Sequence, residues 1–326
     1  MINSRRKSFV LLTAILVFSV VILGACNQQT PPASAGSTIK PFLGRWDLTI
    51  KTPTGELPSW IELSEAQGQA KALVVGIGGS ATPAADAKVV NGTIEISMPP
   101  HPEDYDGAGQ FTGKLVNGGL EGTAVGPNGA TWQWTGSRAP ALEPQAAPKW
   151  GKPIKLFNGK NLDGWKLRHP NRPDVWKVEH GILVKKGSGS GIITTSEFKN
   201  FKLHLQFKCA PMSNSGVYLR GRYEVQIETD SADQPPQNHT GAVYGFLTPN
   251  PEQPRKPGVW QTFDITFVGR TVTVVQNGVT VIDQKEIPGI TGGAINSDEG
   301  APGPIELQGS EKAEVSFRDI VITPAE

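Results

Sequence analysis

The feature that most constrains this chain is a period of two. From Val217 to Glu228 the odd positions are Val217, Leu219, Gly221, Tyr223, Val225 and Ile227. The even positions are Tyr218, Arg220, Arg222, Glu224, Gln226 and Glu228. One face is apolar apart from a glycine; the other is polar and carries both charge signs. Only an extended strand sorts residues this way, because its side chains alternate between faces. The same pattern recurs in "GRWDLTI", "GTIEISM", "FKLHLQFKC", "QTFDITFVG" and "AEVSFRDIVITP". Asn91-Gly92, Asn117-Gly118, Asn128-Gly129 and Asn277-Gly278 punctuate the runs as hairpin turns. No amphipathic helix of useful length interrupts them, so the chain reads as all-β.

Composition divides the runs into regions. Residues 1–25 combine a basic start (Arg5, Arg6, Lys7), an uncharged apolar stretch from Phe9 to Leu23, and small residues, as a secretory leader does. Residues 26–39 are small, polar and proline-containing, which suits a tether. Residues 40–138 hold seven short alternating runs, expected as an antiparallel β-barrel or meander. This segment carries no charge constellation that points to chemistry and reads as a binding or spacing unit. Residues 139–150 are Ala- and Pro-rich and serve as a linker. Residues 151–326 return to alternating strands, which predicts a two-sheet jelly-roll sandwich. Trp165, Trp176, Phe263, Ile265, Phe317 and the small thiol Cys209 are assigned to its core. The formal net charge is +1 with no basic block, which argues against nucleic acid as a partner.

The segment "LGAC" (Leu23 to Cys26) resembles the lipobox of bacterial lipoproteins. That resemblance implies cleavage before Cys26 and diacylation of its sulfur. Each buried CH2 of the chains would contribute about 0.8 kcal/mol to anchoring. The resemblance implies a location at the cell envelope, at the outer membrane or the cell surface; by analogy with lipoprotein sorting in Gram-negative cells, Asn27 after the cysteine favours the outer membrane in such a cell.

The ordered series "IKLFNGKNLDGWK", "NSGVYLRGRYEVQI", "TGAVYGFLTP", "PGVWQTFDITF", "VTVVQNGVTV" and "GPIELQ" with "VSFRDIVI" resembles the 3-keto-disaccharide hydrolase family across residues ~151–324. The resemblance implies a concanavalin-like jelly roll, a carbohydrate ligand and activity on 3-keto-glycosides. Members commonly carry Leu-Gln-Asp-His-Gly near the C-terminal strands; here Gly309 and Ser310 stand where Asp and His often do.

A 3-keto sugar acidifies the hydrogen on C2, so the expected chemistry is proton removal there and elimination at C1. Glu224, mid-strand on the polar face, is the candidate base, against the alternative of a solvated carboxylate. Arg220, Tyr244 and His239 complete the candidate catalytic set. Tyr218, Arg222, Gln226, Gln308 and Trp260 are the candidate sugar contacts, through hydroxyl-matching amides, cations and stacking rings. Each has a plainer reading: surface ion pairs for the arginines, core packing for Trp260, a loop residue for His239. No zinc or EF-hand signature is present. Asp230 and Asp233 supply oxygen ligands of the kind calcium takes, so a divalent metal is left open. The rival function is a noncatalytic, lectin-like carbohydrate-binding surface protein.

Overall fold

The structure, a computed structural model, describes residues 38–75, 80–99, 109–126, 129–142, 148–229, 234–309 and 313–326. The leader, Cys26, Asp230, Asp233, Ser310 and Asn128 lie outside these residues. Ser37–Glu326 forms one compact unit. Among the described residues the helices are single 3-10 turns, Lys40–Phe42 and Pro236–Asn238.

The first nine strands are β1 (Gly44–Thr52), β2 (Gly55–Ala66), β3 (Gln69–Val75), β4 (Ala81–Pro83), β5 (Asp86–Val90), β6 (Thr93–Ser97), β7 (Gln110–Val116), β8 (Gly119–Val125) and β9 (Thr131–Arg138). They form one antiparallel sheet in the order β4-β3-β2-β1-β9-β8-β7-β6-β5. The sheet curls until its edges meet. The Ala84 N–H bonds Ala72 O at 2.9 Å and the neighbouring Ala85 N–H bonds Ser97 O at 2.8 Å, tying β3 to β6. Trp46, Leu48, Ile61, Leu63, Ile94, Ile96 and Trp134 fill the inside. Trp134 fits because a Cβ on Gly113 or Gly122 would stand 2.5 or 2.6 Å from its indole. The Asn-Gly turns work as expected: Asn91, Gly92, Asn117, Gly118, Asn277 and Gly278 all have positive φ.

The second half contains β10 (Ile154–Lys155), β11 (Trp165–Leu167), β12 (Trp176–Glu179), β13 (Ile182–Lys185), β14 (Ile192–Thr194), β15 (Phe201–Cys209), β16 (Asn214–Leu219) and β17 (Tyr223–Glu228). After these come β18 (Gln261–Val268), β19 (Thr271–Gln276), β20 (Val279–Glu286), β21 (Glu306–Leu307) and β22 (Val315–Pro324). They build a jelly-roll sandwich. One sheet runs β12-β13-β22-β15-β18-β19-β20, with β10 on β22; the other runs β11-β14-β21-β16-β17. Phe201, Leu203, Leu205 and Phe207 alternate inward on β15 and meet Val217, Leu219, Val225, Ile227 and Leu307 of the smaller sheet. Trp165, Trp176, Phe263, Ile265 and Phe317 are buried, as read from the sequence. Cys209 is buried too, and desolvation pushes its thiol up to about 12.

The curled sheet and the sandwich share a polar seam. Asp47 of β1 lies 3.6 Å from Arg45 and beside Glu299, whose carboxylate Arg45 and Arg270 both hold. Tyr223 donates to the same carboxylate at 2.7 Å. Burial first, and the Glu299 charge second, push the Asp47 carboxyl up from 3.8 to about 7. A raised carboxyl means that the folded form binds a proton the unfolded form lacks between those values. Stability from this group is therefore full below about pH 4 and lost as pH rises through 7. Asp47→Asn is expected to flatten the pH dependence of unfolding across that window, by on the order of 1 kcal/mol per pH unit at its steepest. Urea denaturation at pH 5 and 7.5 checks it; equal slopes in both proteins would refute it.

Candidate functional site

The polar face of the smaller sheet is assembled by register. Tyr218 of β16 stands directly opposite Glu224 on one side and Glu306 on the other. Strands about 4.8 Å apart place the Glu224 and Glu306 backbones about 10 Å from each other across Tyr218. One step along, Gln226 faces Gly216, and the Gln308 N–H bonds Gly216 O at 3.0 Å. Gly216 has a specific reason: a Cβ there would lie 2.0 Å from Glu224 Oε1, so the carboxylate reaches across the space a side chain would take.

This face is covered rather than wetted. Tyr218, Glu224, Gln226 and Glu306 are each at most 3% exposed. The cover is the segment Thr291–Ala294. Thr291 Oγ1 accepts the Glu224 N–H at 3.0 Å. Gly292 O lies 3.0 Å from the Tyr218 hydroxyl. Gly293 passes so close that a Cβ would stand 2.6 Å from that hydroxyl. Ala294 O accepts Arg168 Nη2 at 3.0 Å.

The two carboxyls have different hydrogen-bond partners. The Tyr218 hydroxyl donates to Glu224 Oε2 at 2.8 Å. Burial, then the Glu224 and Glu306 charges, hold that phenol well above its usual range, so it remains a donor. Arg168 Nη1 lies 2.8 and 2.9 Å from the two oxygens of Glu306. Burial nonetheless raises Glu306 to about 7, with Arg168 opposing the shift. Beside this row, Gln226 Oε1 and Gln308 Oε1 are buried with no hydrogen-bond partner among the described residues. Most buried acceptors in proteins are paired, so these two oxygens, side by side on one face, offer a place where a ligand's donors fit.

The structure gathers Glu224, Tyr218, Gln226 and Gln308, but not every residue of the candidate set. Arg220 and Arg222 leave the Glu224 face because the strand breaks there. Arg220 and Gly221 have φ of +52° and +64° and open a three-residue turn, Arg220–Arg222, between β16 and β17. Arg220 is buried against the Phe267 ring and donates to Gly269 O at 2.8 Å. Arg222 donates to Asn296 Oδ1 at 2.8 Å and to Arg220 O at 3.1 Å. Gly221, the apparent flaw in the apolar face, was the signal for this turn. Because the turn has an odd number of residues, Tyr218 and Glu224 still share a face.

Tyr244 is half-buried and approaches the row through its backbone, donating to Glu224 O at 3.0 Å. His239 is buried in its loop, Nδ1 2.9 Å from Glu252 and Nε2 2.9 Å from Gln234 O. Trp260 sits on the back of the other sheet, with the Arg318 guanidinium 4.0 Å and Lys208 5.2 Å from its ring. Among the described residues no group of three or more His, Cys, Asp or Glu gathers to hold a metal.

Arg168 and Thr291 escaped the sequence reading. The alternation Trp165-Lys166-Leu167-Arg168 did place Arg168 on a polar face. Its partner Glu306, 138 residues away, is chosen by strand order and not by any local pattern. Gly309 has its own local reason. A Cβ there would stand 2.2 Å from Ser190 O, so this backbone has no room for a side chain unless it shifts.

Comparison with known proteins adds the following. A model of the 3-keto-alpha-glucoside-1,2-lyase-like domain matches residues 152–323. A 3-keto-disaccharide hydrolase of Bacteroides thetaiotaomicron is 30% identical over 90 residues, 24% of this chain and 31% of that protein. The match thus spans about a third of the relative's length. Among solved structures, a candidate glycosyl hydrolase from Parabacteroides distasonis is 29% identical with TM-score 0.45, covering 56% of this chain and 94% of that one. A second from the same organism is 28% identical with TM-score 0.43, covering 53% and 98%.

Proposed function

This chain belongs to the 3-keto-alpha-glucoside-1,2-lyase-like domain family across residues 152–323, and from that premise we propose that it cleaves 3-keto-glycosides by proton abstraction at C2 and elimination at C1. Glu224 takes the C2 proton. The electron pair enters the ring as an enolate with its charge on the C3 oxygen. Collapse of the enolate breaks the C1–O bond and leaves a C1=C2 double bond. The departing oxygen takes its proton from Glu306, whose raised carboxyl suits it to act as the acid. Hydrolysis is completed when water adds across the double bond, hydroxide to C1 and the proton from Glu224 to C2, while Glu306 recovers its own.

Tyr218 orients the Glu224 carboxylate, and Arg168 supplies positive potential at Glu306. Gln226 and Gln308 hold sugar hydroxyls. The observation that carries this reading is the pair of unpartnered glutamine oxygens beside Glu224. Anchorage at the cell envelope through diacylated Cys26 is part of the same proposal, with residues 40–138 and 151–326 as two domains joined by 139–150.

The deciding assay incubates the folded protein with a 3-keto-glucoside and follows release of the aglycone. No release, with or without divalent metal, overturns the proposal. The noncatalytic reading is favoured by Ser310, which stands where the Leu-Gln-Asp-His-Gly pattern of the resembled family has its histidine. Under it, calorimetry detects glycan binding that persists in Glu224→Gln while no product forms.

A further inference from the structure

The curled sheet does more than sit beside the sandwich: it grips both ends of the segment that covers the Glu224 row. At the leading end, Arg45 of β1 donates to Pro288 O. Gly289 lies flat on the Trp60 indole of β2, where a Cβ would come within 2.4 Å of Nε1. That Nε1 donates to Ile290 O at 3.1 Å. At the trailing end, Ser297 donates to Leu48 O of β1, and the Glu299 carboxylate accepts from Arg45. Between these anchors lie Thr291, Gly292 and Ala294, the residues that bond Glu224, Tyr218 and Arg168.

The sandwich holds the same segment too: Thr291 N–H bonds Arg222 O at 2.9 Å and Ile295 N–H bonds Gly221 O at 2.8 Å, while Arg222 donates to Asn296, and Arg270 and Tyr223 donate to Glu299. Trp60 also reaches the second segment that touches Glu224. It stacks on Phe246, centroids 6.0 Å apart, two residues from Tyr244. Strand β2 buries Ser59, Trp60 and Ile61 in succession, so it is covered on both faces. Ile61 belongs to the interior of the curled sheet, whereas Trp60 belongs to the sandwich core.

We infer that residues 44–66 act as a clamp on the active-site cover, with Arg45 and Trp60 as positioning residues for the chemistry of the Glu224 row. This rests on the reading of that row as the active site. Catalytic groups must be held within fractions of an ångström, and the bonds made by residues 291–294 are the ones that hold Glu224, Tyr218 and Arg168 from above. The clamp fixes those bonds without touching substrate.

The test uses the full chain with Arg45→Met, Ser297→Ala and Trp60→Phe. Arg45→Met removes the bond to Pro288 together with the ion pairs to Glu299 and Asp47, Ser297→Ala deletes one clamp hydrogen bond alone, and Trp60→Phe keeps an aromatic ring and removes the indole N–H. Hydrogen exchange is read at the Thr291 and Ile295 amides, with β18–β19 amides as the internal control. Exchange at the two amides is expected to quicken about tenfold in Arg45→Met with the control unchanged. On a 3-keto-glucoside, kcat is expected to fall about tenfold or more at nearly constant KM. Unchanged exchange at Thr291 and Ile295, or equal acceleration throughout the sandwich, overturns the clamp. Quickened exchange with kcat intact overturns its positioning role while leaving the reading of the site in place. If wild-type protein turns over no 3-keto-glycoside, that reading fails separately, and the exchange data alone decide the clamp.

Discussion

Glu224→Gln is expected to lower kcat/KM on a 3-keto-glycoside by about 10²–10⁴-fold, the usual worth of a positioned general base. The fold should survive. The amide keeps the shape of the carboxylate over Gly216, and its oxygen still accepts from Tyr218. The Thr291 bond is to the Glu224 backbone and does not depend on the side chain. Calorimetry should then show glycan binding near the wild-type value while steady-state kinetics show lost turnover. A variant that retains full activity would remove Glu224 from the mechanism and move attention to Glu306.

Arg168→Met should have the largest effect on stability. Glu306 is 2% exposed, and among the described residues Arg168 is its ion-pair partner at 2.8 Å. Breaking a buried pair by deleting one member strands the other charge, at a cost of about 3–5 kcal/mol. The loss depends on pH, with a sign fixed by Glu306. Its carboxyl stands at about 7 when folded against 4.5 ordinarily, so the folded form holds an extra proton between those values. Stability from this group is full below about 4.5 and is lost as pH rises through 7. Without Arg168 nothing favours the charged form, and the carboxyl rises further. Denaturant unfolding should therefore show a severe loss at pH 8 and a mild one at pH 5.5. Adding Glu306→Gln should recover most of the pH 8 loss, because the two changes share one interaction. Equal losses at both pH values would show that Arg168 contributes only packing.

Much of this molecule was legible because strands write their faces into sequence at a period of two. Tyr218, Glu224 and Gln226 share a face in the structure as in the reading, and Val217, Val225 and Ile227 are buried opposite them. Arg220 and Arg222 were misplaced because alternation was followed through Gly221, although a glycine behind a polar residue is itself a turn signal. Trp260 shows a different limit. A tryptophan at a strand start fits a site, a core or an outer surface equally well by pattern, and here two cations cover it on the outer surface of a sheet.

The sequence by itself determined the all-β class, the hairpin turns, the family of the second half and the polarity of the strand at 214–228. These are local properties, set by side-chain alternation and by residues that accept positive φ. Tertiary structure alone decided that Glu306 and Glu224 flank one tyrosine, that Arg168 serves Glu306, and that Thr291–Ala294 closes over them under the grip of Arg45 and Trp60. Strand order and loop docking bring together residues from 45 to 306. Those pairings depend on which strands share edges, which no window of sequence records.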